Sequence, residues 1–313
     1  MVRAKMLGKR ILQIVIVLIG ISFLSYLLIT LAPGDAAQSM FTASGIIPTE
    51  EQLESLRDQM GLNDPFLVQY GTWLSGCLRG DFGTSFAQGR PVGEMLAERV
   101  MPTVRLALLS LVIMTAVAIP IGILSATHQN KFLDYIIRGG TFLGISMPNF
   151  WVGLLLLYFF GVLLHVVPVY STSMGFERMI LPAVTLAFAM SAKYARQVRA
   201  AILAELNRDY VYGARARGIK ERTILWRHVM PNAMLPLVTM LGLSLGSLLG
   251  GTAVVEVIFS YPGLGDLAIS AITSLDYPVI QGYVLWISLI YMVVNLLVDI
   301  SYGVLDPKLR KGV

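Results

Sequence analysis

Long apolar segments without a charge constrain the fold of this chain more than any other feature. The first of them, residues 11–32, contains no Asp, Glu, Lys or Arg. A helix needs about 20 apolar residues to cross the hydrocarbon core of a bilayer. Only helices and closed barrels satisfy every backbone hydrogen bond in lipid, and uninterrupted apolar runs lack the alternation of barrel strands. The sequence therefore predicts an all-α integral membrane protein.

Six segments are predicted to cross the membrane. The third contains Pro148, which predicts a kink, and the fourth is short because Lys193, Arg196 and Arg199 follow it at helical spacing. Composition agrees, since 14% of the residues are charged against about 25% in a soluble domain. The predicted crossings are Ile11–Ala32, Leu106–Thr127, Gly139–Val169, Ile180–Ala192, Val229–Val255 and Tyr277–Val298.

The distribution of basic residues predicts the orientation. A cleavable signal peptide is the alternative interpretation of the N-terminus, but its apolar region is usually about 7–15 residues long. The run over residues 11–32 is longer, so we expect an uncleaved crossing. Most of the 24 Lys and Arg residues fall in short segments on one side, which the positive-inside rule assigns to the cytoplasm. Both termini are therefore expected there, and the basic pI is attributed to orientation rather than to nucleic acid.

The first outer segment, residues 33–101, is too long for a connector and is predicted to form a small cap. Thr49 and Gln52 have the spacing of a capping box, and Gly61 is expected to end that helix. A second short helix is expected over Pro65–Leu78. The predicted organisation is an N-terminal end and first crossing (1–32), a cap (33–101), a membrane domain (102–305) with an inner loop (203–229), and a cytoplasmic tail (306–313).

The basic loop between the fourth and fifth crossings is the most informative segment. Its pattern predicts a helix, a break at a glycine and a second helical stretch. A helix presented to the cytoplasm can dock into the groove of a partner. The alternative is a loop held near lipid headgroups, and the residues alone leave both open. The candidate residues are Asp209, Tyr210, Ala214, Arg215, Ala216, Gly218, His228 and Pro231.

This loop resembles the segment by which permeases of ABC transporters contact their ATPases. The pattern of that segment is Glu-Ala-Ala, three residues, Gly, nine residues and Ile-x-Leu-Pro. It falls here on residues 212–214, Gly218 and residues 228–231, with Tyr212, Gly213 and His228 replacing Glu, Ala and Ile. The run Asp-Tyr-Val-x-x-Ala-Arg-Ala-x-Gly is similar to the variant in peptide and nickel importer permeases.

Further motifs extend the resemblance along nearly the whole chain. The stretches over residues 68–74 and 146–151 look closest to nickel-system permeases. The resemblance therefore implies an importer of nickel, free or chelated, with dipeptides, oligopeptides or glutathione as the alternative. The other matching segments are Leu31–Asp35, Asp81–Gly83, Tyr261–Gly265, Asp276–Gln281 and Asp306–Pro307.

The resemblance also implies the partners of the chain. They are a second permease subunit, two ATPase subunits, an extracytoplasmic solute-binding protein and lipid of a bacterial or archaeal cytoplasmic membrane, with no nucleic acid. The stretch from Gly213 to Lys220 mimics a P-loop but lacks Gly-Lys-Ser/Thr. We therefore expect no cofactor on this chain and no enzymatic activity, and we expect ATP and Mg²⁺ to bind the partner ATPases.

Three glycines four residues apart share one face of the fifth crossing, which suits a pathway-lining face, a seam with the second subunit or packing within one subunit. Glu256 lies among apolar residues, so its carboxylate should face protein or a cavity. It is expected either to attract a cation or to pair with a backbone amide or an arginine. The candidates for pathway or packing are Gly242, Gly246, Gly250, Glu256, Met147, Pro148 and Asn149.

Other functional classes find little support in the sequence. The three histidines are scattered and Cys77 is the only cysteine, so no metal site is expected, with His165 as the weak candidate. A secondary transporter or channel should show ionisable residues in the middle of its crossings, and few are present. A membrane-embedded enzyme lacks a convincing nucleophile and base.

Overall fold

A computed structural model describes residues 2–31, 36–43, 45, 47–167 and 175–305. Helices joined by short turns make up this part of the chain. The first half holds α1 (Val2–Leu31), α2 (Ala36–Ala43), α3 (Glu50–Gln59), α4 (Phe66–Leu78), α5 (Val92–Thr127), α6 (Phe132–Ser146) and α7 (Asn149–Leu156), which continues as a π-helix (Leu157–Leu163). The second half holds α8 (Glu177–Leu206), α9 (Asp209–Ala216), α10 (Glu221–Ile224), a π-helical segment (Leu225–Val229), α11 (Met230–Gly251), α12 (Ala253–Ile258), α13 (Leu264–Thr273) and α14 (Tyr277–Leu305).

Length and composition mark three to five membrane crossings in the described residues. Arg10–Leu31, Val92–Thr127 and Tyr277–Val298 qualify as single helices. The number is five if each of two bent pairs of helices counts as one crossing. These pairs are Phe132–Ser146 with Asn149–Leu163 and Glu221–Met234 with Pro236–Gly250. The all-α membrane architecture is thus confirmed. The predicted fourth crossing, over residues 180–192, lies within α8. Length and composition do not mark α8 as a membrane crossing.

The break after α6 is much sharper than a kink. The axes of the two halves differ by 98°. Met147 has an extended backbone with ψ 128°, and Pro148 follows with φ −63° as the residue before α7. A residue that precedes proline is pushed out of the helical region, and proline has no N–H to continue the ladder. The predicted third crossing is therefore two helices, and the first begins at Phe132 rather than at Gly139.

Residues Met1–Thr103 and Pro262–Val293 form one compact unit, and it contains the two predicted cap helices. The Thr49 hydroxyl accepts a hydrogen bond from the Gln52 N–H at 3.3 Å, and the Gln52 side-chain oxygen accepts one from the Thr49 N–H at 2.9 Å. Gly61 ends α3 with φ +67°. The Leu62 N–H donates to the Arg57 carbonyl at 2.9 Å, which completes a Schellman motif.

Within this unit, Asp276 anchors the turn that follows α4. Its carboxylate is 2% exposed and accepts hydrogen bonds from the Ser85 hydroxyl at 2.5 Å and from the backbone N–H groups of Phe86 and Ala87 at 3.0 and 3.2 Å. A buried carboxylate needs such donors to offset its lost hydration. The segments 81–83 and 276–281, which the resemblance singled out separately, therefore lie together.

The second unit comprises Val104–Tyr261 and Val294–Val313, and its core joins α5, α8, α9 and α11. The Tyr194 hydroxyl donates to the Leu237 carbonyl at 2.6 Å, which ties α8 to α11. The side chains buried in this core include Met114, Tyr194, Val198, Ile202, Val211, Ile224, Val229 and Leu237. The short helix α9 is thus part of the same core as the long helices beside it.

An ion pair in the second unit joins three segments. Asp134 is 0% exposed. Its carboxylate accepts hydrogen bonds from Arg199 Nε at 2.9 Å, from the Arg199 terminal nitrogen at 2.8 Å, from the Ser125 hydroxyl at 2.5 Å and from the Asn130 N–H at 3.0 Å. Two parallel bonds from a guanidinium are the strongest form of such a pair. The pair fixes α8 to the end of α5 and the start of α6.

Replacing Asp134 by Ala should lower the stability of the protein by about 3 kcal/mol, because the Arg199 guanidinium loses its partner while remaining largely buried. The measurement is the midpoint of thermal unfolding of the purified protein in detergent. Arg90→Gln is the control, since it breaks an ion pair between two exposed side chains, and it should leave the midpoint unchanged. An equal midpoint for Asp134→Ala and wild type would contradict the assignment.

Candidate functional site

The inner loop folds as predicted into two helical stretches separated by a glycine. Gly218 has φ +74°, a conformation that costs every residue but glycine about 1 kcal/mol or more. The Gly218 N–H donates to the Arg215 carbonyl at 2.9 Å, and the Ile219 N–H donates to the Ala214 carbonyl at 3.2 Å. These two bonds form a Schellman motif, so α9 stops abruptly and the chain turns into α10.

One face of α9 is buried and the other is open. Val211 and Ala214, three residues apart, are 0% and 2% exposed and belong to the core of the second unit. Tyr212, Gly213 and Ala216 are exposed, and a Cβ added to Gly213 would meet no atom within 4 Å. The open face of α9 therefore combines two large side chains, Tyr212 and Arg215, with the small residues Gly213 and Ala216, whereas the opposite face ties the helix to its neighbours.

Tyr210 connects both ends of this segment. Its hydroxyl donates to the Glu205 carboxylate at 2.8 Å and lies 3.4 Å from the His228 carbonyl, and the Asn232 amide lies 3.4 Å from the same hydroxyl. Partial burial raises the pKa of the Tyr210 phenol, and the Glu205 charge adds to the rise. The phenol is thus a protonated donor at neutral pH, and it links the end of α8 to the start of α11.

A second link crosses the Gly218 turn. Arg215 Nε donates to one Glu221 oxygen at 2.7 Å, and its terminal nitrogen donates to the other at 3.3 Å. Both side chains are exposed, so the pair adds little stability but orients the charges on this surface. Pro231 is the second residue of α11, which directly follows the π-helical segment Leu225–Val229. The candidate residues of the loop are therefore brought together around α9, with Asp209 at its start.

A cavity of about 420 Å³ lies among α6, α7, α8 and α11 in the second unit. Asn149 contributes to its wall from the first residue of α7, next to the break at Met147 and Pro148. From α8 come Lys193 and Gln197, and α11 supplies most of the remaining wall. The lining residues are Ile145, Asn149, Leu186, Ala189, Met190, Lys193, Gln197, Met240, Leu243, Ser244, Ser247 and Leu248.

The three glycines of α11 have different surroundings. A Cβ on Gly242 would lie 2.1 Å from Val298 Cγ2, so α14 packs directly against this position. Gly246 is buried, and a Cβ on Gly250 would meet no atom within 4 Å. Gly242 therefore serves packing inside the chain, while Gly250 leaves open surface at the end of α11.

Glu256 lies in α12 with 0% of its surface exposed. Burial raises the pKa of the nearby Tyr261 phenol, and the Glu256 charge raises it further. Arg105 and Arg178 oppose this rise, so basic groups are also near. His165 is exposed beyond the π-helix that follows α7. In the residues that the structure describes, no three His, Cys, Asp or Glu side chains are grouped so that they could hold a metal ion.

Two residues whose contacts or position stand out in the structure are not identified by the sequence. The sequence presents Lys193 only as a charge that ends a crossing, and its motifs do not single out Asp134. Asp134 is an acid between Lys131 and Arg138 in an apolar stretch, and an acid in such a place is a recognisable signal. No pattern in the sequence pairs it with Arg199, which lies 65 residues further along.

Comparison with known proteins gives a consistent result. The profile of the family described as "Binding-protein-dependent transport system inner membrane component" matches residues 118–311, and that of its N-terminal part matches residues 1–107. A probable peptide ABC transporter permease of Sinorhizobium fredii is 35% identical over 309 residues, covering 96% of this chain and 98% of that protein.

Two further relatives and two solved structures agree. An oligopeptide transport system permease of Bacillus subtilis is 38% identical (96% of this chain, 98% of that protein), and a glutathione transport system permease of Escherichia coli is 37% identical (96% and 97%). A chain of the inward-facing MetNI methionine ABC transporter has a TM-score of 0.57 at 18% identity, covering 68% of this chain and 96% of that one. A chain of an amino acid ABC transporter gives 0.53 at 18% identity (67% and 93%). These structures support the fold.

Tyr210→Phe should loosen α9, because it removes the hydroxyl that links Glu205 to the start of α11. The Tyr210 hydroxyl donates to an ionised carboxylate, and a hydrogen bond of that kind is worth about 1.5 kcal/mol or more, so amide hydrogen exchange over residues 209–216 should become about tenfold faster. The exchange is carried out on the intact protein, and mass spectrometry of its peptides measures this rate for residues 209–216. Tyr212→Phe is the matched control, since that hydroxyl makes no hydrogen bond within the described residues. Equal exchange in both variants would mean that the Tyr210 hydroxyl does not hold α9.

Proposed function

Because the chain belongs to the family of binding-protein-dependent transport system inner membrane components, we propose that it is one of two permease subunits of an ATP-driven importer and that an ATPase subunit moves α9. The observation that carries this proposal is the two-faced placement of α9. Its buried face shares a core with α8 and α11, and its other face is exposed and available to a partner. A push on that face is transmitted to both long helices.

The mechanism is alternating access. Closure of an ATPase dimer on ATP displaces α9 together with the helices packed on it, as in rigid-body switching. The inner loop has candidate contacts at Asp209, Tyr210, Ala214, Arg215, Ala216, Gly218, His228 and Pro231. This chain hydrolyses no nucleotide itself, and ATP and Mg²⁺ bind the partner ATPases. Both termini lie in the cytoplasm, and the cap over residues 33–101 meets the solute-binding protein outside.

The solute of this proposal is a short peptide. Three relatives that match almost the full chain are named for peptide, oligopeptide and glutathione transport. Nickel, free or chelated, was the first expectation from the motifs over residues 68–74 and 146–151, and it stays a prediction. A secondary transporter would need no ATPase, so co-purification of an ATPase subunit with the tagged chain separates the two classes.

Gly218→Val should abolish ATP-dependent uptake while the chain still inserts. A β-branched side chain at φ +74° is strained, so the Schellman motif opens and α9 changes its direction relative to the ATPase. Uptake of a labelled peptide into proteoliposomes that hold the complete transporter measures the effect, and membrane fractionation measures insertion.

Gly218→Asn is the matched control for this experiment. Asparagine adopts the left-handed conformation more readily than other residues with a Cβ, and a Cβ on Gly218 would meet no atom within 4 Å. This variant should keep the Schellman motif and retain most of the uptake. If Gly218→Val transports peptide at the wild-type rate, α9 is not the coupling element.

A further inference from the structure

The wall of the cavity between α6, α7, α8 and α11 carries charge of one sign. Among the described residues that line it, Lys193 is the only ionisable one, and the other polar side chains are Asn149, Gln197, Ser244 and Ser247. The remaining lining residues are apolar. A cavity with one cation, several uncharged hydrogen-bonding groups and apolar walls is a typical small-molecule site, and about 420 Å³ lies in the usual range of about 300–1,000 Å³.

Lys193 is an exposed residue of the cavity wall, near the middle of α8. It is the seventeenth residue of α8, about 24 Å along the helix axis from its start, and α8 packs against α6, α7 and α11, which belong to the two bent apolar pairs. An exposed charge on a helix of a membrane protein faces a water-filled path or the headgroup region rather than hydrocarbon. Within the described residues Lys193 has no ion-pair or hydrogen-bond partner, whereas Arg199, six residues later, is held by Asp134.

The neighbouring groups define which solute would suit this ammonium. Gln197 follows one turn after Lys193 on the same face of α8, and Asn149 lines the same cavity from the start of α7. Their carboxamides donate and accept hydrogen bonds, as a peptide unit does. The described residues of the wall offer no carboxylate, thiolate or imidazole to a metal ion, and a lone ammonium repels a divalent cation. Solutes that end in a carboxylate next to a peptide bond match all of these groups.

We propose that this cavity is a carboxylate subsite of the solute path, in which the Lys193 ammonium pairs with the free C-terminal carboxylate of a short peptide while Asn149 and Gln197 contact its last peptide bond. The proposal rests on the proposed function and narrows it, because it selects peptides with a free carboxylate and disfavours a bare divalent metal ion. Lys193 then lowers the barrier for one class of solute after the binding protein has delivered it.

Uptake of two tripeptides that differ only at the C-terminus, free acid against amide, tests the proposal. The complete transporter is reconstituted in proteoliposomes with its own binding protein, and kcat/KM for uptake is measured for each peptide. The ratio of acid to amide should fall about tenfold in Lys193→Gln relative to wild type. Selection by the binding protein is the same for both permease forms and cancels in this comparison. Lys193→Arg should recover most of the ratio, because the cation is restored.

Arg196→Gln is the matched control. Arg196 is exposed on the same helix but does not line the cavity, so its loss should leave the ratio unchanged. An unchanged ratio in Lys193→Gln, with uptake in wild type, overturns the subsite and leaves the importer standing. An equal loss of both peptides in Lys193→Gln overturns it as well, because that result assigns Lys193 a structural role. Absence of ATP-dependent uptake of either peptide by wild type would instead count against the proposed peptide importer itself.

Discussion

A single buried carboxylate, Asp134, determines how the second unit is held together. It gathers four donors from α5, the turn before α6, and α8. A charge removed from water is stable only when its lost hydration is replaced by hydrogen bonds and an opposite charge. Helices that cross a membrane gain little from hydrophobic contact with one another. A fully satisfied ion pair therefore supplies the specific registration that apolar packing alone does not.

This registration has consequences for α9, because the helix that Arg199 anchors is the one that leads into it. α8 ends at Leu206, and α9 begins three residues later and returns its Val211 and Ala214 to the same core. Tyr210 and the Arg215–Glu221 pair close the loop at both ends. Side-chain contacts thus link the successive helices from α8 to α11. In the proposed mechanism, a displaced α9 therefore moves α8 and α11 with it, because Val211 and Ala214 share their core.

Local features of this fold could be predicted from the sequence, because neighbouring residues determine them. The capping box at Thr49, the glycine stops at Gly61 and Gly218, and the break at Pro148 all follow from backbone chemistry within a few residues. The 98° angle at that break could not be predicted, since packing against other helices sets it. For the same reason the Gly242 contact with Val298, the cavity beside Lys193 and the Asp134–Arg199 pair emerged only from the structure.

The contrast between Arg199 and Lys193 shows how pairing separates structural from functional charge in a membrane helix. Both lie on α8, where the Arg199 side chain is largely buried and Lys193 is exposed. Arg199 has a planar guanidinium that forms two parallel bonds with one carboxylate, and it contributes to the fixed architecture. Lys193 has a compact, rotatable ammonium and no partner among the described residues, so its charge remains available at the cavity wall. In the proposed subsite, the rotatable ammonium of Lys193 can pair with a carboxylate in more than one orientation, whereas the planar fork of a guanidinium favours one.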